Sequence, residues 1–316
     1  MTTILVETSQ QRVDVTGADR TRYLEDVTSQ HLLDVPVTHV RSALVLDGHG
    51  APSAMFDVVV LGDRLALLAP DAEVATTLVE VLGGRTFLLD ARFERRDHAA
   101  LAVRGEDASS TVAAAGLTVV AGRCRVAGDL LLVSRPEGID VLGPQPALAE
   151  AAAALRAAGA VEGDASDLED RRIRQGEPAW GREVVAPHLP EEVGLLPSHV
   201  HLAKGCYPGQ EAVARMWMLG RPRRRLAVVR ATGELAPGWR TGTGRAQVEV
   251  TSVTSDGHRA LAFVPADAAP GDTFGGADDA PETAVVEVER LVGDDPNPPG
   301  HDPAMVRRRD RPRGQS

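Results

Sequence analysis

Short apolar runs, broken by Gly, Asp and Pro, set the rhythm of the chain. ILVET at 4–8 and RVDVTG at 12–17 are short β-branched, apolar runs and predict short strands. GADRTRYLEDVTSQ follows, with Asp19 near its start and apolar positions at Tyr23, Leu24 and Val27, and predicts a helix. RSALVLDGHG and SAMFDVVVLGDRLALLAP predict a strand, a turn and a hairpin closed by LGDR at 61–64. DAEVATTLVEVLGG predicts a helix that starts at Asp71 and ends on a glycine pair, and RTFLLDARFERR returns to a strand.

A similar rhythm recurs from 98 to 160: HAALAVRG, EDASSTVAAAGL, DLLLVSR, GIDVLGP and the Ala-rich PALAEAAAALRAAG. The order strand, helix, strand, strand, helix predicts two related α+β units, each a small sheet covered by helices. Ser166 stands three residues before Glu169, the spacing of a capping box, and opens a helix expected to end near Gln175 at Gly176. After 222 the pattern changes to strands separated by Gly, Asp and Pro turns, a small all-β domain of the barrel kind ending near 292. The expected organisation is 1–221 for the two α+β units, 222–292 for the barrel and 293–316 for a flexible tail rich in Pro, Gly and Asp.

The chain has 316 residues, 43% of them hydrophobic and 25% charged, which suits a globular protein of two or three domains. No apolar run approaches the ~20 residues that cross a bilayer, so no membrane partner is expected. MTTILVETSQ lacks the basic and apolar regions of a secretory signal. The two cysteines, far apart, make no disulfide framework, and the expected compartment is the cytoplasm. A net charge of −11 argues against broad nucleic-acid binding, although arginines cluster at RPRRR (221–225) and in VRRRDRPRG near the end.

One stretch breaks the compositional habits of the rest: HLAKGCYPGQEAVARMWMLGRPRRR, residues 201–225. Lys204 is the lone lysine of a chain that otherwise uses arginine, and Cys206 and Tyr207 are each one of two. Lysine is a compact, flexible point charge, so its use here marks a place a planar guanidinium does not suit. PGQEAVARMW predicts a helix start, with Pro208 and Gly209 leading in and Glu211 in the first turn. Cys206 then lies just before a helix N-terminus and close to a cation. It reads either as a thiolate favoured by both or as a small buried filler. Tyr207 reads either as core or as a ring that covers a flat heterocycle. His199 and His201 with Cys206 match no trusted zinc spacing, and no metal site is expected. Arg223, Arg224 and Arg225 offer forks that suit carboxylates. Trp180, Trp217 and Trp239 read as packing residues, and Cys124, in GRCRV, as part of a strand without chemistry.

KGCYPGQEAVAR followed by LGRPRRRL resembles the signature of the YgfZ-type folate-binding proteins, relatives of the glycine-cleavage T-protein, an aminomethyltransferase. The octet Lys204–Glu211 keeps each signature position, with Pro208 in the variable slot. Weaker likenesses in GADRTRYLEDVTSQHLLDV, in 43–72 and in RRIRQGEPAWGREVVAPHLPEEVGLL extend over most of the chain. The resemblance implies an α+β fold: two related sheet-and-helix subdomains and a small C-terminal β-barrel around a central channel. It implies tetrahydrofolate, or a one-carbon derivative, bound in that channel. It implies a role in making or maintaining iron–sulfur enzymes, including those that thiolate tRNA, with such client proteins as partners. On the resemblance Lys204, Cys206, Tyr207, Gln210, Glu211 and Arg215 are the site candidates, with Cys206 the reactive one. Arg224 and Arg225 join them on residue chemistry, facing the glutamate tail of a folate.

Three departures from the T-protein pattern matter. T-proteins carry an acidic pair in the strand after the first glycine turn, where GAPSAMFD places Ala54 and Met55. Neither side chain is an acid or a base. The glutamate that T-proteins hold on the pterin, in a RLEAG-like run, is replaced in RIRQG by Arg174. Cys206 stands where the T-protein signature has an acid. The vessel is therefore expected without the transfer apparatus, and Asp57 is the nearest substitute carboxylate in the sequence. The alternative expectations are a true aminomethyltransferase and a tRNA-contacting protein that uses the arginine cluster.

Overall fold

A computed structural model describes residues 2–136, 138–218, 222–275, 284–295 and 297–302. The chain divides into two compact units. The first takes residues up to Val27, His31–Ala43 and Ala54–Leu168; the second takes Thr28–Gln30, Leu44–Ser53 and the chain from Glu169 on. Residues 169–218, which the sequence groups with the first two-thirds, cluster with the barrel strands.

The first unit is mixed α+β. Its elements run β1 (Ile4–Thr8), β2 (Gln11–Thr16), α1 (Arg20–Val27), β3 (Val40–Leu46), β4 (Pro52–Val60), β5 (Leu65–Ala69), α2 (Ala72–Thr77) and β6 (Arg92–Arg95). They continue with β7 (Ala99–Arg104), α3 (Ala108–Ala114), β8 (Cys124–Ala127), β9 (Leu130–Arg135), β10 (Gly138–Gly143), α4 (Gln145–Ala157) and β11 (Val161–Glu162). Helix α2 starts where expected, with the Asp71 carboxylate accepting from the Val74 N–H at 2.8 Å.

The strands form two sheets, ordered β3-β4-β5-β2-β6 and β8-β9-β10-β7-β1-β11. The second order repeats the first, strand for strand, with β1 inserted between β7 and β11. The repeat thus lies in topology, where residue identity does not show it. Strand β1 pairs antiparallel with β7 and parallel with β11, so the first strand of the chain completes the sheet of the second repeat. Sequence order gave no sign of this, because a strand pattern names its faces and not its neighbours.

Period-two alternation decides what each face buries. In β9, Leu131 and Val133 join Val59, Ala66 and Leu68 of the other sheet in one core. Leu130 and Leu132 turn the opposite way, to Val112, Leu148 and Leu155 of α3 and α4. The polar members of these strands form a buried ionic chain. Arg135 donates to Asp57 and to Asp140, each at 2.6 Å, Arg104 donates to Asp140, and Ser42 donates to Asp57 at 2.6 Å.

The second unit begins inside α5 (Ala165–Gln175) and continues with α6 (Leu196–His199) and α7 (Gln210–Met218). The strands β12 (Arg224–Ala231), β13 (Arg240–Thr241), β14 (Val248–Val253), β15 (Arg259–Pro265), β16 (Thr273–Phe274) and β17 (Val286–Leu291) follow. They make a nearly closed, barrel-like antiparallel sheet ordered β13-β14-β15-β12-β17-β16, with Val229, Val250, Ala262, Val264 and Val288 inside. Register shifts at 228/229 in β12 and between 250 and 252 in β14 supply the bends that curl it.

Helix α5 is capped differently from the sequence expectation. Asp164, not Ser166, accepts from the N–H groups of Ser166 and Asp167, and the Asp167 carboxylate accepts from the Asp164 N–H. An Asp placed before Ser offers an ionised acceptor two residues earlier, and Glu169 is drawn instead to Arg172 and Arg182. Glu183, fully buried, locks the segment after α5 onto the barrel. It accepts from Arg172 at 3.1 Å, Thr251 at 2.7 Å, Ser252 at 2.6 Å and the Ala179 N–H at 2.9 Å.

Beyond β17 the chain is still held. Arg225 donates to Asp294 at 2.8 Å, the Leu202 N–H donates to the Pro299 carbonyl at 2.8 Å, and His301 meets the Trp217 ring edge-on. The expected flexible tail from 293 otherwise falls on residues 303–316, outside the described residues, as does its arginine cluster. No helix among the described residues is long and apolar enough to cross a membrane.

The ionic chain of the first unit makes stability depend on acid. Burial would raise the Asp140 carboxyl, but Arg135 and Arg104 outweigh it and hold it at about 2. An unfolded Asp titrates near ~3.9, so the stabilisation is complete above that pH and is lost as pH falls towards 2. Asp140→Asn is expected to cost about 2 kcal/mol at pH 7 in denaturant unfolding, by leaving two part-buried guanidinium groups short of a partner, with the deficit shrinking below pH 3.

Candidate functional site

The signature segment is built on one turn. The Gln210 N–H donates to the Tyr207 carbonyl at 3.3 Å, and Gly209 between them has φ of +79°. Pro208 at the second position and a left-handed Gly at the third define a type II turn. A Cβ on Gly209 would stand 2.5 Å from the Asp47 carbonyl oxygen and 2.9 Å from the Leu46 side chain. Gly50, also left-handed, would place a Cβ 2.8 Å from that of Ala212. The start of α7 therefore presses backbone to backbone on the 47–50 turn, and two glycines make that approach possible. Sequence reasoning placed Gly209 at a helix start but missed Gly50 as its partner. The only available signal was the glycine-rich turn DGHG.

Lys204 enters this arrangement from the other side. Its ammonium donates to the carbonyls of Thr28 at 2.5 Å and Gln30 at 3.2 Å and lies 4.9 Å from the centre of the Tyr207 ring. Those carbonyls are fixed in turn. The Ser29 hydroxyl donates to His199 O at 2.6 Å and accepts from the Leu44 N–H at 3.0 Å, and the Gln30 amide donates to Ser198 O at 3.1 Å. Two converging carbonyls and a ring face suit a small cation with donors on every side. A guanidinium spreads its donors in one plane and is too wide for the same place.

Tyr207 is almost buried, and burial pushes its phenol up to about 12. The hydroxyl has no hydrogen-bond partner among the described residues. Its oxygen is not one of the buried atoms left without a partner, so the hydroxyl meets solvent, and its raised pKa keeps it a protonated donor. Gln210 turns back, its carbonyl oxygen accepting from the Tyr207 N–H at 3.3 Å, and so stiffens the turn. Cys206 is exposed, which removes the buried-filler reading, and no described residue hydrogen-bonds it. The ammonium expected to ionise it is aimed at carbonyls instead.

The remaining candidates are placed apart from this pair. Glu211 and Arg215 form an i,i+4 ion pair of 2.8 Å on the exposed face of α7, opposite the buried Val213 and Trp217. Arg224 pairs with Glu249 at 3.0 Å and lies over the ring of Phe263, whose face His188 stacks at 4.3 Å. Arg225 is buried and paired with Asp294. Arg223 is exposed, and Arg221 lies outside the described residues. Of the tryptophans, Trp217 is buried and Trp239 packs on the barrel core.

The T-protein departures have plain geometry. Ala54 is fully buried in β4 and Met55 follows it. Asp57 is taken up by Ser42 and Arg135 in the buried ionic chain, which leaves it no role as a loose base. Arg174 projects from α5 to Asp256 at 3.2 Å and Asp170 at 3.6 Å.

Comparison with solved structures shows the fold. The chain aligns with the glycine cleavage system aminomethyltransferase T of Bartonella henselae at a TM-score of 0.76, over 92% of this chain and 88% of that one, at 17% identity. The chain shares the fold of the glycine-cleavage T-protein. A heterotetrameric sarcosine oxidase of Corynebacterium sp. U-96 aligns over 49% of the chain at a TM-score of 0.36, too low to extend the likeness. Among curated proteins, an Arabidopsis thaliana protein named "Putative transferase At1g60990, chloroplastic" is 34% identical over 120 residues. That match spans 36% of this chain and 28% of the relative's length. No family model matches the chain. At 17% identity the T-protein likeness carries the fold, and the chemistry must come from the residues described above.

Two measurements check this geometry. In the native protein one thiol is expected to react rapidly with a chromogenic disulfide and Cys206→Ser to abolish that phase, while Cys124, buried, reacts only on unfolding. Gly209→Ala is expected to lower stability by roughly 2 kcal/mol or more in denaturant titration, from its left-handed backbone and the clash at Asp47.

Proposed function

We propose that this chain is a YgfZ-type folate-binding protein, which holds a reduced folate beside Lys204 and Tyr207 and serves the upkeep of iron–sulfur enzymes, tRNA-thiolating ones among them, in the cytoplasm. The observation that carries the reading is the protonated Tyr207 hydroxyl, on a buried ring but with no partner among the described residues, in a chain with the T-protein fold. A pteridine offers ring nitrogens and a carbonyl that accept such a donor. Bound folate would supply a carrier for one-carbon units.

The chain's own residues divide the work. Tyr207 donates the proton that orients the ring. Lys204 holds the 28–30 carbonyls and the Tyr207 ring, so its part is to position. Gln210 fixes the turn. Cys206 is the exposed, reactive group beside them. Glu211 and Arg215 serve as a solvent-facing pair that closes the outer side of α7. A glutamate tail finds its first arginine at Arg223. Reaching Arg224 or Arg225 requires displacing Glu249 or Asp294.

The second reading, an aminomethyltransferase that transfers a one-carbon unit to tetrahydrofolate, draws on the same fold. Ala54 and Met55 in place of the acidic pair, and Arg174 in place of the pterin glutamate, weigh against it. Calorimetric titration with tetrahydrofolate is expected to show saturable binding, weakened about tenfold in Tyr207→Phe by the loss of one hydrogen bond. Turnover with an aminomethyl-loaded carrier is expected to be absent. Absence of binding, or equal affinity in Tyr207→Phe, would overturn the assignment; turnover would establish the second reading.

A further inference from the structure

The first unit holds a cleft of about 530 Å³ that shares no residue with the signature. Its floor is basic. Asp14, almost fully buried, is met by the Nε and Nη2 of Arg12 at 2.7 and 3.1 Å and by the Nη1 of Arg64 at 3.3 Å, with Arg96 Nε at 3.9 Å. Three guanidinium groups thus converge on one buried carboxylate. The other carboxylates that touch Arg64 and Arg96, Asp63 and Glu94, have side chains 70% and 71% exposed, and Asp129 at the rim is exposed as well. Water screens these acids more than it screens the floor. His98 completes the floor, and its buried Nδ1 has no hydrogen-bond partner among the described residues. Burial first, then Arg12 and Arg96, hold its ring neutral.

The walls are apolar: Leu61 and Leu130 deep, Val37 and Val126 at the mouth, the last two more than half exposed. Exposed valines over a basic floor are poor surface design for water alone, and the volume suits a small ligand. We propose that this cleft is a binding site for a small organic anion, with a carboxylate or phosphate head on Arg12, Arg64, Arg96 and His98 and an apolar body between Val37 and Val126. Guanidinium forks recognise both heads in two-point fashion. The neutral imidazole supplies a hydrogen bond that the head or a bound water completes.

The test uses the full chain and four probes: phenyl phosphate, benzoate, inorganic phosphate and benzyl alcohol. Phenyl phosphate or benzoate is expected to bind saturably and to shift the ring nitrogen resonance of His98, and whichever binds more tightly identifies the head. Inorganic phosphate is expected to bind at least tenfold more weakly than phenyl phosphate, and benzyl alcohol not at all. Arg64→Gln combined with Arg96→Gln is expected to weaken the anion at least tenfold while tetrahydrofolate binding is unchanged. Should that variant fail to fold, Val126→Asp, at a position 57% exposed, is expected to give the same loss. The proposal is overturned if neither aromatic anion saturates, if inorganic phosphate binds as well as phenyl phosphate, or if the variants bind as the parent does.

Discussion

The close approach of two backbones governs the second unit. Gly209 lies against the Asp47 carbonyl and Gly50 against Ala212, with no room for a Cβ on either glycine. Everything chemically distinctive in the signature hangs from that contact. The turn fixes where Tyr207 sits, Tyr207 fixes what Lys204 covers, and Lys204 ties the segment 28–30 to the same place. Cys206, between them, is left facing solvent. The lone lysine and one of two tyrosines meet here because the turn presents the Tyr207 ring to the Lys204 ammonium.

Carboxylates and arginines also brace each unit. Asp57 and Asp140 with Arg104 and Arg135 brace the first unit, and Glu183 with Arg172 braces the second. Such buried networks tolerate little, since removing one member strands the others without water. Asp57, the carboxylate that follows Ala54 and Met55 in β4, is spent on Arg135. In the signature, what remains without a partner among the described residues is an uncharged donor, the Tyr207 phenol, and an exposed thiol.

Much of this was legible in residue order. Short apolar runs gave β2, β5, β7, β9 and β10, Asp71 gave the start of α2, and the glycine and proline of the signature marked the turn. The cap of α5 was misplaced by two residues because Asp164 and Ser166 offer competing acceptors and spacing does not rank them. The repeat escaped residue comparison, since a sheet keeps its strand order while its side chains drift. Arg224 and Arg225 read as available forks; the fold supplies each with a carboxylate, from Glu249 and Asp294, that lies far away in the chain.

The sequence by itself determined local periodicity, turns and the presence of a distinctive motif, because these depend on neighbours within a few residues. Only the tertiary structure decided that β1 completes the second sheet, that Gly50 faces α7, that the Tyr207 hydroxyl goes unmatched by any described residue, and that three arginines share Asp14. Each of these is a pairing across many residues, set by which buried polar groups find partners and which backbones have space to touch, and no local pattern encodes that choice.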